Sequence, residues 1–234
     1  MPLRMKGDKR GMKVTAKRRK PMIVTIDFET TGLQAGEDEV LQVSIIDENY
    51  NVLLNEYCKP QNKKSWEAAQ QVNGITQEMV INKSAFEKYV PVVRDIVKRA
   101  DHVIAYNAAF EDGFLKAYGI EVPPEKWIDP MIMFAEIYGE WNANYGDYKW
   151  QSLGKCAAYY GYEFKAHDSL EDVKATMYCY EKMVDQEEEK EQGLSAQEKP
   201  DDKNHDEESQ NKVNAPAEKS TRRNKMSRNC KIRI

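Results

Sequence analysis

The sequence predicts a mixed α/β fold, in which a three-stranded antiparallel meander precedes strands that alternate with helices. Three segments rich in isoleucine, valine and aromatic residues follow one another between residues 22 and 58, and such segments are typical of strands. The last two are joined by the turn-like sequence Glu48-Asn49-Tyr50-Asn51. Beyond residue 90, short apolar segments alternate with segments of helical periodicity. This order predicts a mixed sheet with helices packed against it.

Each element is predicted from its own pattern. Strands are predicted where apolar and β-branched residues run together, at Met22–Phe28, Glu39–Asp47, Val52–Cys58, His102–Tyr106 and Trp127–Ile128. Helices are predicted where apolar residues recur at helical spacing, at Ser65–Gln71, Pro91–Ala100, Ala108–Tyr118, Pro130–Tyr138, Leu153–Tyr160 and Asp168–Met183. Asn107 and Ser152 are the predicted N-caps, and Gly119 and Gly161 are predicted to end their helices.

Charge is distributed unevenly along the 234 residues, whose net charge is −4. The segment 21–184 holds 15 lysine and arginine residues against 26 aspartate and glutamate residues, which gives it a net charge of −11. Residues 1–20 and 219–234 are strongly basic, and the stretch after Asp185 is polar. We therefore predict a folded domain over 21–184, a basic disordered arm over 1–20 and a polar disordered tail over 185–234 with a basic end. The basic ends are compatible with a nucleic-acid partner.

Several classes of protein are excluded by the sequence. No apolar run approaches the ~18–20 residues of a membrane span, so we expect no membrane partner. The basic N-terminus lacks the apolar core of a secretory signal. The four cysteines are widely spaced and form no CxxC pair, which favours reduced thiols and a cytoplasmic location. The sequence also lacks the GxSxG, P-loop and HExxH motifs of other hydrolases.

The first acidic motif lies at the end of the first predicted strand. Asp27 and Glu29 are two residues apart, so their side chains point to the same face of the strand. Two adjacent carboxylates repel each other unless a cation offsets their charge, and oxygen ligands of this kind suit Mg²⁺ or Mn²⁺. Taken alone, the pair is also compatible with two solvent-facing acids.

Two further acidic motifs follow on predicted helices. Glu111 and Asp112 lie in the first turns of one helix, where the helix dipole favours negative charge. His167 precedes the last helix and Asp172 lies on it. An imidazole beside metal-binding carboxylates is placed to accept a proton from water.

Taken together, these motifs resemble those of the DEDDh, or DnaQ-like, family of 3′–5′ exonucleases. The matching segments are Thr25–Leu33, Val72–Thr76, Ile104–Phe110 and His167–Asp172. They span about residues 21–184, and they look closest to the proofreading branch, which includes epsilon-like and PolC exonuclease-domain-like proteins. Asn73 and Tyr106 stand where the family commonly has histidine. The resemblance implies a ribonuclease H-like fold, in agreement with the predicted mixed sheet.

The second motif departs from the family pattern at one position. The family has aspartate directly after the motif's phenylalanine, whereas this chain has Glu111 there and Asp112 one residue later. A step of one residue turns a side chain by about 100° around a helix, so we expect Glu111 to be the ligand. Its extra methylene moves the carboxylate by ~1 Å, and Mg²⁺ tolerates poor geometry badly. We therefore expect weakened or Mn²⁺-favouring activity.

The resemblance implies a mechanism that uses two divalent metal ions, Mg²⁺ or Mn²⁺, and releases nucleoside 5′-monophosphates from a 3′ end. Its implied catalytic residues are His167 and the metal-binding carboxylates Asp27, Glu29, Glu111 and Asp172. Its implied substrate-binding residues are Thr30, Thr31, Leu33 and Phe110. Four aromatic residues are candidates for stacking on single-stranded bases, although such residues more often pack in a core: Tyr106, Tyr145, Tyr148 and Trp150.

We expect the substrate to be single-stranded or frayed DNA, in proofreading or repair. The motifs do not distinguish DNA from RNA, so an RNA-directed exonuclease of the same family is an alternative. A catalytically weakened binding or polymerase-associated module is another alternative, and Glu111 motivates it. The tail after Asp185 is a candidate tether for a DNA polymerase or another replication partner.

Overall fold

Five strands form one mixed sheet in the computed structural model, which describes residues 20–144 and 146–197. The strands are β1 (Ile23–Thr30), β2 (Val40–Asp47), β3 (Val52–Tyr57), β4 (His102–Ile104) and β5 (Trp127–Ile128). Their order in the sheet is β3-β2-β1-β4-β5. β1, β2 and β3 pair antiparallel, whereas β4 and β5 run parallel to β1. The predicted mixed sheet with a three-stranded meander is confirmed.

Seven α-helices connect or flank these strands in the described ranges. They are α1 (Glu67–Asn73), α2 (Gln77–Val80), α3 (Val90–Arg99), α4 (Ala108–Ala117), α5 (Pro130–Tyr138), α6 (Leu153–Tyr159) and α7 (Ser169–Gln197). Short 3-10 turns cover Phe86–Lys88 and Pro124–Lys126. A two-stranded hairpin of β6 (Trp141–Asn142) and β7 (Asp147–Tyr148) separates α5 from α6.

The sheet is buried on both faces, because the two sides of β1 enter different cores. Val24, Ile26 and Phe28 pack in the larger core with residues of α3 and α4. Ile23 packs in a second core with Val173 and other apolar residues of α7. This alternation follows from the two-residue period of a strand.

The parallel strands bring several chain segments to one edge of the sheet. Thr25 of β1 pairs with Ile104 of β4, and Ile104 pairs with Ile128 of β5. The carboxyl ends of these strands therefore face the same edge, and the segments that follow β4 and β5 begin there. The register of β1 against β2 shifts between Glu29 and Thr30, and such irregularities re-aim side chains next to functional sites.

The N-terminus of α4 differs from the sequence prediction. Asn107 does not cap the helix with its side chain, because it adopts a left-handed conformation with φ 74°. The Asp129 carboxylate serves this end instead, accepting hydrogen bonds from the backbone N–H groups of Asn107 at 3.1 Å and Ala108 at 2.9 Å. Ser152 does cap α6 as predicted, since its side chain accepts from Lys155 N–H.

The last helix is longer than predicted. α7 continues past Met183 to Gln197 and crosses the predicted domain boundary after residue 184. The added segment is rich in glutamate and glutamine, residues of high helix propensity that extend a helix without needing a core.

In the part of the chain that the structure describes, no helix is both long and apolar enough to cross a membrane. Cys58, Cys156 and Cys179 are buried as free thiols. The predicted basic segments 1–19 and 219–234 lie outside the described residues, as does Cys230.

Candidate active site

Two carboxylates lie near the carboxyl end of β1. Asp27 and Glu29 alternate with buried Phe28, and they are opposite Ser44 and Gln42 of β2. The buried hydroxyl of Ser169, the first residue of α7, donates a hydrogen bond of 3.1 Å to the Asp27 carbonyl. This bond holds the start of α7 against the strand that carries both carboxylates.

Glu111 reaches the same region from α4. It is only 3% exposed, and its negative charge acts on the Asp27 carboxylate. Its neighbour Asp112 instead forms an ion pair with Lys116, one helical turn away, at 2.5 Å. The structure therefore brings Glu111 toward β1, whereas Asp112 pairs with Lys116 along α4, as the turn of one residue around a helix requires; Asp112 is 21% exposed, and its Oδ1 is buried with no partner among the described residues.

The third motif contributes Asp172 and His167. Asp172 is buried in the first turn of α7, and its Oδ2 accepts a hydrogen bond of 3.1 Å from the backbone N–H of His167. His167 adopts a left-handed conformation with φ 66°, which is uncommon outside glycine. Its exposed imidazole brings a ring nitrogen within 4.8 Å of carboxylate oxygens of both Glu29 and Asp172.

Asp27, Glu29, Glu111 and Asp172 together form what we call the acidic cluster. Among the described residues, no hydrogen-bond partner is found for one buried oxygen on each of three members, namely Asp27 Oδ2, Glu111 Oε2 and Asp172 Oδ1. Buried polar atoms are almost always paired in proteins. Ligand atoms of Glu29, His167 and Asp172 lie within 4.8 Å of one another, and the charges of Glu111 and Asp172 act on Asp27; carboxylate oxygens brought together in this way are the donor set expected for a hard divalent cation.

Burial and mutual repulsion raise the pKa of every carboxyl group in the acidic cluster. Burial raises the pKa of Glu29 to about 7, and the charges of Asp172 and Asp168 add to the effect. Burial likewise raises the pKa of Asp172 to about 7, against the hydrogen bond from His167. The pKa values of Asp27 and Glu111 are raised well above the ordinary range by burial, and by Glu111 and Asp129 respectively. Without a cation, the cluster therefore retains protons near neutral pH.

Sequence reasoning missed three residues that organise this site. Ser169 ties α7 to Asp27, and Asp129 caps two helices, since it also accepts from Met131 N–H at 3.0 Å. Asn73 donates to the Thr30 carbonyl at 3.3 Å, and a side-chain hydrogen bond from Asn73 moderates the raised pKa of Glu29. Asp129 carried a local signal, because an acid directly before a proline often begins a helix, and Asn73 lies in a segment that resembles the family, although its contacts with Thr30 and Glu29 were not predicted.

The four predicted substrate-binding residues take different positions. Thr30 and Thr31 are buried, and their hydroxyl groups donate to Gly32 O at 2.6 Å and to Asp38 Oδ1 at 3.2 Å. Leu33 is 84% exposed beside them. The fourth residue lies on α4, where Phe110 contacts Phe114 with a centroid distance of 4.9 Å. Their substrate-binding role stays a prediction.

Comparison with known proteins supports this interpretation of the fold and motifs. The Exonuclease family, RNase T, matches residues 24–180. DNA polymerase III PolC-type from Thermotoga petrophila is 31% identical over 112 residues, which are 47% of this chain and 8% of that protein. PolC-type polymerase III from Staphylococcus aureus is 26% identical over 170 residues, which are 70% of this chain and 11% of that protein.

Solved structures with the same fold include two bacterial exonucleases. Escherichia coli Exonuclease I in complex with a dA16 oligonucleotide superposes with a TM-score of 0.60 at 19% identity, over 73% of this chain and 42% of that one. Exonuclease I from Methylocaldum szegediense gives a TM-score of 0.57 at 21% identity, over 73% of this chain and 42% of that one. The chain thus spans only part of the proteins it resembles. The family match covers the whole sheet and all three acidic motifs, and the chain belongs to the exonuclease family, in its DnaQ-like branch.

Proposed function

We propose that the chain is a metal-dependent 3′–5′ exonuclease that removes nucleoside 5′-monophosphates from the 3′ ends of single-stranded or frayed DNA. The observation that carries the proposal is the convergence of the acidic cluster and the His167 imidazole at the carboxyl end of β1. Four carboxylates at this spacing are costly to a fold unless they hold a cation.

The residues present fit a pair of divalent metal ions. Asp27, Glu29, Glu111 and Asp172 would hold them, and three of the four carry buried oxygens without a protein partner. When bound, such ions stabilise the charge of the phosphodiester under attack and make water a better nucleophile. The preference for Mg²⁺ or Mn²⁺ depends on how the site accommodates the side chain of Glu111, which is longer than that of aspartate.

His167 serves as the general base in this proposal. Its exposed imidazole stands within 4.8 Å of Glu29 and Asp172 oxygens, where a ring nitrogen can accept the proton of an attacking water. The hydrogen bond from its own N–H to Asp172 fixes the loop from which the ring projects. As the phosphodiester bond breaks, the leaving 3′-oxygen takes a proton from solvent, and His167 releases its own proton to solvent.

The backbone after β1 is proposed to bind the terminal nucleotide. The hydroxyl groups of Thr30 and Thr31 are engaged within the protein, and so is the backbone N–H of Thr31, which donates to the Glu39 carbonyl at 2.9 Å. Leu33 offers exposed apolar surface just after β1, and Phe110 is partly buried against the larger core one residue before Glu111. The polar tail after Asp185 and the PolC-type relatives support a replication partner such as a DNA polymerase, and the free thiols support a cytoplasmic location.

Labelled oligonucleotides test the proposal directly. The full chain is incubated with single-stranded DNA or RNA carrying either a 3′ or a 5′ label, in Mg²⁺, Mn²⁺ or EDTA. We expect mononucleotides to be released from the 3′ end of DNA in either metal, and no hydrolysis in EDTA. Stepwise shortening from the 5′ end, or hydrolysis that survives EDTA, would contradict the mechanism. Faster hydrolysis of RNA than of DNA would replace the proposed substrate with RNA.

The same assay addresses a binding module that lacks catalysis. The burial of Glu111 near Asp27 supports an active site. An inactive parent protein that becomes active on substitution Glu111→Asp would instead support the weakened module.

A further inference from the structure

The β6–β7 hairpin carries an aromatic surface that the acidic cluster does not use. Trp141 and Tyr148 are cross-strand partners, and their rings meet edge to face with centroids 5.3 Å apart. Trp150 follows Tyr148 by two residues and thus falls on the same side of an extended chain. Trp141, Tyr148 and Trp150 are 55%, 36% and 65% exposed. We call these three residues the aromatic strip.

The base of the hairpin is attached next to the acidic cluster. β4 runs parallel to β1 with Ile104 level with Thr25, and Tyr106 follows the last residue of β4 by two positions, at the sheet edge toward which β1 carries Asp27 and Glu29. Neighbouring strands are about 4.8 Å apart. The Tyr106 hydroxyl donates a hydrogen bond of 2.9 Å to the carbonyl of Gln151, which directly follows Trp150. This bond places the aromatic strip at the same sheet edge as the carboxylates.

The same hydrogen bond indicates that Tyr106 does not stack on nucleobases. Its ring packs in the core formed by α5, α6 and α7, and its hydroxyl is already engaged. Tyr106 is therefore a tether for the hairpin, which is a structural use of the position where the family commonly has histidine. Tyr145, the other candidate in the hairpin turn, lies outside the described residues.

The hairpin segment 140–150 holds two acids, Glu140 and Asp147, and one lysine, Lys149, and Lys155 of α6 supplies a second positive charge beside Glu140. Lys149 forms an ion pair of 2.7 Å with Glu140, and Lys155 lies 3.9 Å from the same carboxylate. The neighbouring cavity of about 420 Å³ is lined by Asn142, Asp147, Tyr148, Lys149 and Trp150. A surface of open ring faces with paired charges suits the flat faces of nucleobases better than a row of phosphates.

We propose that the aromatic strip is a stacking platform for the bases upstream of the 3′-terminal nucleotide, on the single strand that leaves the acidic cluster. Stacking of this kind is tolerant of sequence, because every base offers a π face. The proposal rests on the exonuclease function proposed above, since that function places the 3′ end at the acidic cluster. It assigns a binding role to a hairpin that lies outside the three acidic motifs.

Substitutions in the strip are tested against a matched tyrosine. Trp150→Ala and Tyr148→Ala are compared with Tyr50→Ala, because Tyr50 is also 36% exposed but lies in the β2–β3 turn beside the start of β1. KM and kcat are measured on oligothymidylates from two to twelve nucleotides long. We expect KM to rise about fivefold or more for Trp150→Ala on the longer oligonucleotides, with the ratio growing with length. Tyr50→Ala should show no length-dependent change.

Two further variants separate stacking from other uses of the strip. Trp150→Phe keeps a π face and should retain most of the affinity, whereas Trp150→Leu keeps apolar area and should lose it. A KM that is equal at every length for folded Trp150→Ala and Tyr148→Ala would overturn the platform and leave the strip to a protein partner. Absence of hydrolysis by the parent protein on all lengths would instead refute the exonuclease function, and anisotropy of labelled oligothymidylate in EDTA would still test the platform.

Discussion

At the scale of single residues, the acidic cluster serves the proposed function but lowers the stability of the metal-free fold. Asp27 and Glu111 are both buried, which raises the pKa of each carboxyl group, and the charge of Glu111 raises the pKa of Asp27 further. Such a site is stable only when protons or cations balance its charge. Active sites commonly carry this conflict, and here it makes separate predictions for hydrolysis and for folding.

The first prediction concerns Glu111. Glu111→Gln removes one charge without changing shape, so we expect hydrolysis of single-stranded DNA to fall at least about a hundredfold. The same substitution should raise the melting temperature of the metal-free protein, because it relieves repulsion of Asp27. Both quantities are measured on the same preparation in EDTA and in Mn²⁺.

Asp112→Asn is the matched control for this prediction. It alters the adjacent residue, whose partner is Lys116 on the helix surface, and should change the rate by no more than about twofold. If the Asp112→Asn variant were inactive and the Glu111→Gln variant active, the assignment of Glu111 as the metal ligand would be wrong.

The second prediction is the pH dependence of stability without metal. Folding raises the pKa of Glu29 and Asp172 to about 7, whereas unfolded carboxyl groups titrate near pH 4. The folded state thus holds more protons between these values, and its stability falls as the pH rises from about 4 to about 7. Thermal melts in EDTA over this range should show a melting temperature that falls as the pH rises.

Divalent ions supply the control for the pH effect. Mg²⁺ or Mn²⁺ should raise the melting temperature more at pH 8 than at pH 5, because the carboxylates are free of protons only at the higher pH. The slope in EDTA should flatten in the double variant Glu29→Gln, Asp172→Asn. A melting temperature that climbs from pH 5 to pH 7 in EDTA would contradict the prediction.

At the scale of elements, Asp129 joins two helices to the edge of the sheet. Its carboxylate accepts N–H groups of Asn107 and Ala108 at α4 and of Met131 at α5. α4 carries Glu111, so the orientation of that carboxylate depends on a residue that precedes a different helix. Tertiary contact has replaced the local cap that Asn107 was predicted to provide.

The third prediction compares Asp129 with an ordinary cap. Asp129→Ala leaves three backbone donors without an acceptor and should cost about 2–4 kcal/mol of unfolding free energy. Ser152→Ala loses a single cap at Lys155 N–H and should cost about 1 kcal/mol. Urea denaturation of both variants in EDTA measures the difference. Equal costs would show that Asp129 is a cap for α5 alone.

The fold was predictable wherever a local pattern dictated it. The meander, α5 and the cap at Ser152 follow from β-branched runs, helical spacing and a serine before a helix. The hairpin β6–β7 was missed because strands of two residues have no period to detect. The left-handed conformation of Asn107 was missed because Asp129, 22 residues away, imposes it.

The motif residues of the site were predictable from the sequence, whereas the residues that hold them in position were not. Spacing along β1 and around α4 placed Asp27, Glu29 and Glu111 on the correct sides of their elements. Ser169 gave no signal, since a serine at a helix start is normally a cap, whereas here it bonds to Asp27 from 142 residues away. Contacts of that range arise from topology rather than from a local pattern.

At the scale of the whole molecule, charge separates the chain into regions of opposite sign. Residues 21–184 have a net charge of −11, whereas 1–20 and 219–234 hold nearly all their charge as lysine and arginine. An anionic substrate must therefore approach an acidic domain. We propose that the basic ends supply the electrostatic attraction that the domain lacks.

The fourth prediction is that the basic ends determine the salt dependence of binding. Deletion of residues 1–20 or 219–234 should weaken the affinity for single-stranded DNA in EDTA. It should also make the plot of log K against log salt shallower by about 0.7 for each phosphate that the deleted segment neutralises in the full chain. Deletion of 198–212, which removes more acids than bases, is the control and should not weaken binding. Unchanged slopes after both basic deletions would assign binding to the domain alone.

The length of α7 has a mechanical consequence. Its 29 residues make a rod about 43 Å long, and the rod is packed in the domain through Val184 and exposed from Glu187 to Gln192. Asp172 lies at the opposite end, where Ser169 is fastened to β1. A partner that bound the exposed turns would therefore contact the same helix that carries Asp172 of the acidic cluster. A rotation of these turns would be transmitted to the Asp172 carboxylate through continuous helical hydrogen bonds, because no hinge loop interrupts the helix.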